Sequence, residues 1–117
     1  MGCGSMESRK DDSYFIARIR ENLAFIERNM SGVERQDFSA NEVLQDSMLF
    51  RLIQISENAK KLSDEFRNKH AGIPWFEMYG LRNRIVHDYG NVDLKVVFDT
   101  LKEDVPALVE MIRKEVD

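Results

Sequence analysis

Arg82-Asn83-Arg84-Ile85-Val86-His87-Asp88-Tyr89 places an arginine, a histidine and a tyrosine within eight residues, as Arg-x4-His-x-Tyr. His87 is one of only two histidines in the chain. An imidazole with an unperturbed pKa near ~6.5 can take or give a proton at cellular pH, and a helix C-terminus favours its protonated form. The guanidinium of Arg82 offers a planar fork of donors to a phosphate, or to the charge that builds up in phosphoryl transfer. Together they suit attack of an RNA 2′-hydroxyl on its neighbouring phosphate, a reaction that requires no metal. Tyr89 can orient a substrate, stack on a base or receive a modification. The same residue types also make an ordinary amphipathic helix end, with a charged flank, a dipole partner and a half-buried ring. Residue types alone leave both readings open.

These side chains need elements to hold them. Pro74 suits the first turn of a helix that carries Trp75, Met78, Leu81 and Ile85 inward and ends at Gly90, a fitting left-handed cap. At ~100° per residue, Arg82 and Tyr89 differ by about 20° and share a face, as do Asn83 and His87 at a spacing of four. Arg82 and His87 point about 140° apart, so one straight helix does not aim both at one phosphate. Either the helix unwinds near His87, or a second copy of the chain completes the site across a two-fold axis.

The rest of the chain is periodic at helical spacing. Phe15, Ile19, Leu23, Ile26 and Met30 predict a helix over 12–30 that stops at Ser31-Gly32. After a polar loop over 31–38, a longer helix is expected from Ser39, with Ser39 and Glu42 as a capping box. Its stripe is Leu44, Met48, Leu52, Ile55, Ala59, Leu62 and Phe66, widened by Phe50 and Ile53. Asp93 caps a fourth helix through Val96, Val97 and Leu101, and Pro106 marks a kink or restart, with Asp104 as its cap, before Leu108, Met111 and Ile112. No strand alternation or internal repeat is visible. The expected fold is all-α, an up-down bundle of four or five helices with short connections. A helical core of this size commonly gains stability by pairing into a homodimer.

Composition narrows the class. The 117 residues are the length of one domain. Met1-Gly2-Cys3-Gly4-Ser5 reads as a cloning remnant rather than a lipidation signal, leaving 6–117 as a single helical domain. Cys3, the only cysteine, falls in that remnant, so no disulfide or thiolate metal site is expected, consistent with a reducing cytoplasm. No carboxylate-plus-histidine spacing of a dedicated metal site is present, and no cofactor is implied. No apolar run nears the ~18 residues of a membrane span, and no signal peptide is visible. Net charge is −4, but residues 51–87 alone are net +3 and end at the Arg/His cluster. Arg51, Lys60, Lys61, Arg67 and Lys69 either guide RNA or form the wetted face of the second helix. Trp75 reads as a core or dimer-interface anchor, His70 as an exposed loop residue and the methionines as core filler.

Arg82-Asn83-Arg84-Ile85-Val86-His87-Asp88-Tyr89 resembles the signature of HepT-type toxins of the HEPN superfamily. The likeness continues through Leu44-Gln45-Asp46, Leu52 to Ala59, Lys61 to Glu65, Ile73-Pro74-Trp75, Gly80-Leu81, Asp93 and Val105-Pro106-Ala107-Leu108, and covers roughly residues 12–113. The resemblance implies a HEPN-like bundle acting as a homodimeric, metal-independent endoribonuclease, its cleft formed where two motif helices meet. Arg82 and His87 would be the catalytic pair and Asn83 a supporting group. Glu57 matches a polar family position facing the cleft, and is equally well read as a solvated helix acid. The resemblance further implies a type VII toxin–antitoxin (HepT/MntA-type) system. In it a cognate nucleotidyltransferase antitoxin transfers AMP from ATP to Tyr89, placing a charged phosphate and a bulky base where RNA, tRNA or mRNA, must enter. Ser56 and Asn58 depart from the Gly and Ala more usual around that glutamate, a change that bears on how closely the second helix approaches its neighbours.

Two other classes stand beside this one. The chain can be a non-catalytic helical adaptor, a nucleotide-binding partner of a nucleotidyltransferase, or a plain dimeric bundle whose motif is structural. An intact set of Arg82, His87 and Tyr89 favours the nuclease, because an adaptor has no evident need for all three.

Overall fold

Asp11 starts the first helix by accepting a hydrogen bond from the Tyr14 N–H at 3.1 Å, satisfying one of the free donors of the first turn. The structure, a computed structural model, describes residues 11–87 and 91–116, with His87 described by its backbone. Helix α1 (Asp12–Met30) buries Ile16, Ile19, Leu23, Ile26 and Met30, alternating steps of three and four that keep one face inward. It stops where expected. Ser31 turns extended and Gly32 takes φ +73°, a left-handed value that suits glycine.

The expected loop over 31–38 instead contains a short helix, α2 (Arg35–Ser39), and the expected start at Ser39 is corrected. Ser39 ends α2, and Asn41 caps α3 (Glu42–Lys60) by accepting from the Leu44 N–H at 3.0 Å. The reason is Phe38, which is 1% exposed and lies 5.7 Å, ring to ring, from Phe98. Burying that ring requires a bend between the two helices, and Gln45 secures it by donating to the Phe38 and Ser39 carbonyls. Asn41→Ala is expected to lower unfolding free energy by about 1 kcal/mol, read as a lower urea midpoint at unchanged slope. A variant as stable as the parent would show that the cap is not what starts α3.

The single long second helix also divides. α3 buries Met48, Leu52, Ile55 and Ala59, and its successor α4 (Asp64–Lys69) restarts at Ser63. Ser63 accepts from the Phe66 N–H, while its own N–H and hydroxyl donate to Asp12 at 2.8 and 2.6 Å. That carboxylate ties the start of α1 to the start of α4. Trp75 is buried in the core, with its indole N–H donating to the His70 carbonyl at 3.0 Å. His70 is not the exposed loop residue expected: its side chain is 13% exposed and its ring stacks 4.6 Å from Phe66.

The expected helix from Pro74 to Gly90 is three elements. α5 (Trp75–Tyr79) and α6 (Leu81–Ile85) meet at Gly80, and the chain then extends into β1 (Val86–His87), which pairs antiparallel with β2 (Asn91–Val92). This small ribbon was not visible as alternation because each strand has two residues. The helix end at Ile85 removes the capping role expected of Gly90, which lies outside the described residues.

Asp93 caps α7 (Leu94–Asp99) by accepting from the Lys95 and Val96 N–H groups. Neither a break nor an Asp104 cap follows. A wide turn over Thr100–Asp104, in which the Val105 N–H bonds the Thr100 carbonyl five residues back, leads directly into α8 (Val105–Val116). Pro106 explains the widening: it has no N–H, and its ring clashes with the carbonyl four residues back, so one turn of the ladder has to open. The molecule is an all-α bundle in which α1 packs mainly along α3, with α8 against α1 and the α5–α6 segment against α3. Among the described residues no helix is long and apolar enough to cross a membrane.

Candidate active site

Leu81 and Ile85 are buried, at 6% and 0% exposure, and stand four apart on one face of α6. They hold the helix to the core, and the three residues between them, Arg82, Asn83 and Arg84, are exposed. Five residues form no stable helix in isolation, so the segment exists because its anchors are buried. Upstream, Ser56 of α3 is fully buried and donates its hydroxyl to the Tyr79 carbonyl at 2.9 Å. This contact ties α3 to the end of α5 and fixes the backbone three residues before Arg82. The only sequence signal for it was a polar residue among the core positions of α3. Asn58, the other departure, donates to the Gln54 carbonyl within its own helix at 2.8 Å.

The helical-face geometry does not survive beyond Ile85. Val86 has φ −112° and ψ 115°, extended backbone, and His87 pairs across the ribbon with Asn91. Asn83 and His87 therefore do not share a helix face. Of the two ways around the 140° divergence, the chain itself supplies unwinding before His87. Tyr89, with Asp88, lies outside the described residues.

The motif arginines differ. Arg82 is exposed, and no hydrogen bond or ion pair ties it to another of the described residues. Arg84 is engaged, 3.1 Å from Asp104 Oδ2 and 3.4 Å from Thr100 Oγ1. Asn83 is likewise exposed. Glu57 stands elsewhere, half-buried on α3 and 3.6 Å from Lys60, in a depression shared with Arg18, Gln54, Asn58 and Lys61. Arg82, Asn83 and Arg84 do not line that depression.

The basic residues of the second helical region also separate. Arg51 lies flat on the Phe25 ring at 3.7 Å and donates to Asn22 Oδ1, binding α3 to α1. Arg67 pairs with Asp64 and donates to the Leu62 carbonyl. Both are structural in this fold. Among the described residues no three His, Cys, Asp or Glu side chains converge as a metal site.

Residues 19–115, which span α1 through α8 and every candidate residue above, match the profile of the family described as ribonuclease HepT-like. The chain belongs to the HepT-like family. Relatives match along most of this chain. A Thermococcus cleftensis protein provisionally named ribonuclease HepT is 33% identical over 110 residues, 92% of this chain and 97% of the relative. A Caldanaerobacter subterraneus protein provisionally named an RNase is 28% identical over 100 residues, 86% and 89% of the two chains. A Methanocaldococcus jannaschii protein named as a gamma-glutamylcyclotransferase and, provisionally, an RNase is 35% identical, but the match covers 91% of this chain and 48% of that one. No solved structure matches. Membership accords with the HEPN resemblance of the sequence and with the all-α architecture.

Proposed function

We propose that this HepT-like chain is a metal-independent endoribonuclease toxin of the cytoplasm, active as a homodimer on RNA. The observation that carries this is an Arg-x4-His segment held to the core through Leu81 and Ile85, with Arg82 exposed and unpaired among the described residues. His87 takes the proton from a 2′-hydroxyl, whose oxygen forms a bond to the adjacent phosphorus while the bond to the 5′-oxygen breaks. Arg82 holds the charge that accumulates on the phosphoryl oxygens, and the departing oxygen takes a proton from the imidazolium or from water. Asn83 orients the same phosphate. In the dimer, two α6–β1 segments form one cleft, and Glu57 contributes only if the partner's surface brings it there.

Regulation follows the same reading. A cognate nucleotidyltransferase antitoxin transfers AMP from ATP to Tyr89, forming a bond between the phenolic oxygen and the α-phosphorus with release of pyrophosphate. The added phosphate repels RNA from the cleft.

The test is cleavage of a broad RNA pool, tRNA included, by protein confirmed unmodified by mass, with a chelator present. Cleavage is expected from the parent and from Tyr89→Phe. Only the parent should be silenced by the nucleotidyltransferase and ATP. An unmodified parent that leaves the pool intact would transfer the assignment to a non-catalytic adaptor of the nucleotidyltransferase.

A further inference from the structure

Arg84 sits inside the motif but reaches away from it. Both of its partners belong to the wide turn before Pro106. Thr100 is 3% exposed and donates its hydroxyl to the Val96 carbonyl at 2.8 Å, which leaves its oxygen free to accept from Arg84. Asp104, four residues on, supplies the carboxylate. The clamp thus joins α6 to the α7–α8 segment at the point where that segment departs from regular helix.

Beside α6 lies a pocket open to solvent, of about 210 Å³, lined by Met78, Leu81, Leu52, Ile55 and Leu108, with Arg84, Thr100 and Asp104 in its wall. Side chains that border open space have fewer packing neighbours to fix their position. Leu81 and Ile85 hold one face of this single-turn helix to the core. Among the described residues two polar ties add to them, Ser56 to the Tyr79 carbonyl before the helix and the Arg84 clamp near its far end.

We propose that Arg84 is a positioning residue for the reaction: clamped by Asp104 and Thr100, it sets the orientation of α6, and with it the aim of Arg82 and the path of the chain into His87. This rests on the ribonuclease reading above. The alternative is that Arg84 binds RNA directly.

The experiment compares the full-length protein with Arg84→Met, Asp104→Asn and the exchanged pair Arg84→Asp/Asp104→Arg. Arg84→Met is expected to lower kcat roughly 10- to 100-fold with KM within about twofold, the usual result of small misplacement of reacting groups. The melting temperature should move little, because an exposed ion pair contributes little to stability. The exchanged pair should recover most of the rate. Amide hydrogen exchange over residues 81–87 should quicken in Arg84→Met and slow again in the exchanged pair. Exchange needs no cleavage, so it tests the clamp even where the parent cuts no RNA, a result that would remove the ribonuclease reading instead. Parent-like kcat and exchange in Arg84→Met would overturn the proposal. So would a raised KM at unchanged kcat with Asp104→Asn neutral, the signature of a direct RNA contact. If Arg84→Met does not fold, Asp104→Asn carries the same expectation.

Discussion

His87→Ala is expected to lower RNA cleavage by about 10³-fold or more while the protein stays folded and keeps the parent's assembly state. General acid–base catalysis by one positioned group is worth roughly 10²- to 10⁴-fold, and the chain's one other histidine, His70, has its ring against Phe66 and its carbonyl accepting from the Trp75 indole N–H. Arg82→Ala belongs to the same experiment, with a loss of roughly 10²- to 10³-fold expected for one electrostatic stabiliser. Arg82 is exposed and unpaired among the described residues, so its truncation should shift stability by less than about 0.5 kcal/mol. The two losses should not add, because in the proposed reaction both groups serve one transition state. Growth inhibition on expression should follow the cleavage rates. A His87→Ala protein that cuts at the parent rate removes His87 from the chemistry. One that melts far below the parent makes the motif structural.

Ile85→Ala produces the larger change in stability, a fall of about 3 kcal/mol in unfolding free energy, within the usual range for truncating a buried isoleucine. Ile85 is 0% exposed and is the last residue of α6 before the chain becomes extended. Denaturant unfolding measures the loss. Cleavage per folded molecule should fall as well, because this side chain fixes the point from which the chain continues to His87. Ile85→Val, with one methylene less, should cost about 1 kcal/mol and keep most of the activity. Equal stability of Ile85→Ala and the parent would mean that α6 is held by its polar ties alone.

Much of this protein was legible before any coordinates. α1 matched its expected limits because its determinants are local: a carboxylate cap, one apolar face and a Ser-Gly stop. Asp93 was readable as a cap for the same reason. The motif residues were identifiable from their chemistry, and family membership follows from the order of residues along the chain. The errors lie where distant partners decide. The expected capping box at Ser39 gave way to burial of Phe38 against Phe98, sixty positions away by number. The helix expected to reach Gly90 ends at Ile85, where strand pairing of Val86 with Val92 takes over the backbone.

The sequence by itself determined which side chains can do chemistry, that the chain is helical, and to which family it belongs. Only the tertiary structure decided that His87 leaves the helix that carries Arg82, that Arg84 turns away to Asp104, and that Ser56 holds the segment beneath them. The physical reason is range. Helical periodicity and caps act over three or four residues, whereas Ser56 meets Tyr79 across 23 positions and Arg84 meets Asp104 across 20. Contacts at that separation exist only once the helices have packed.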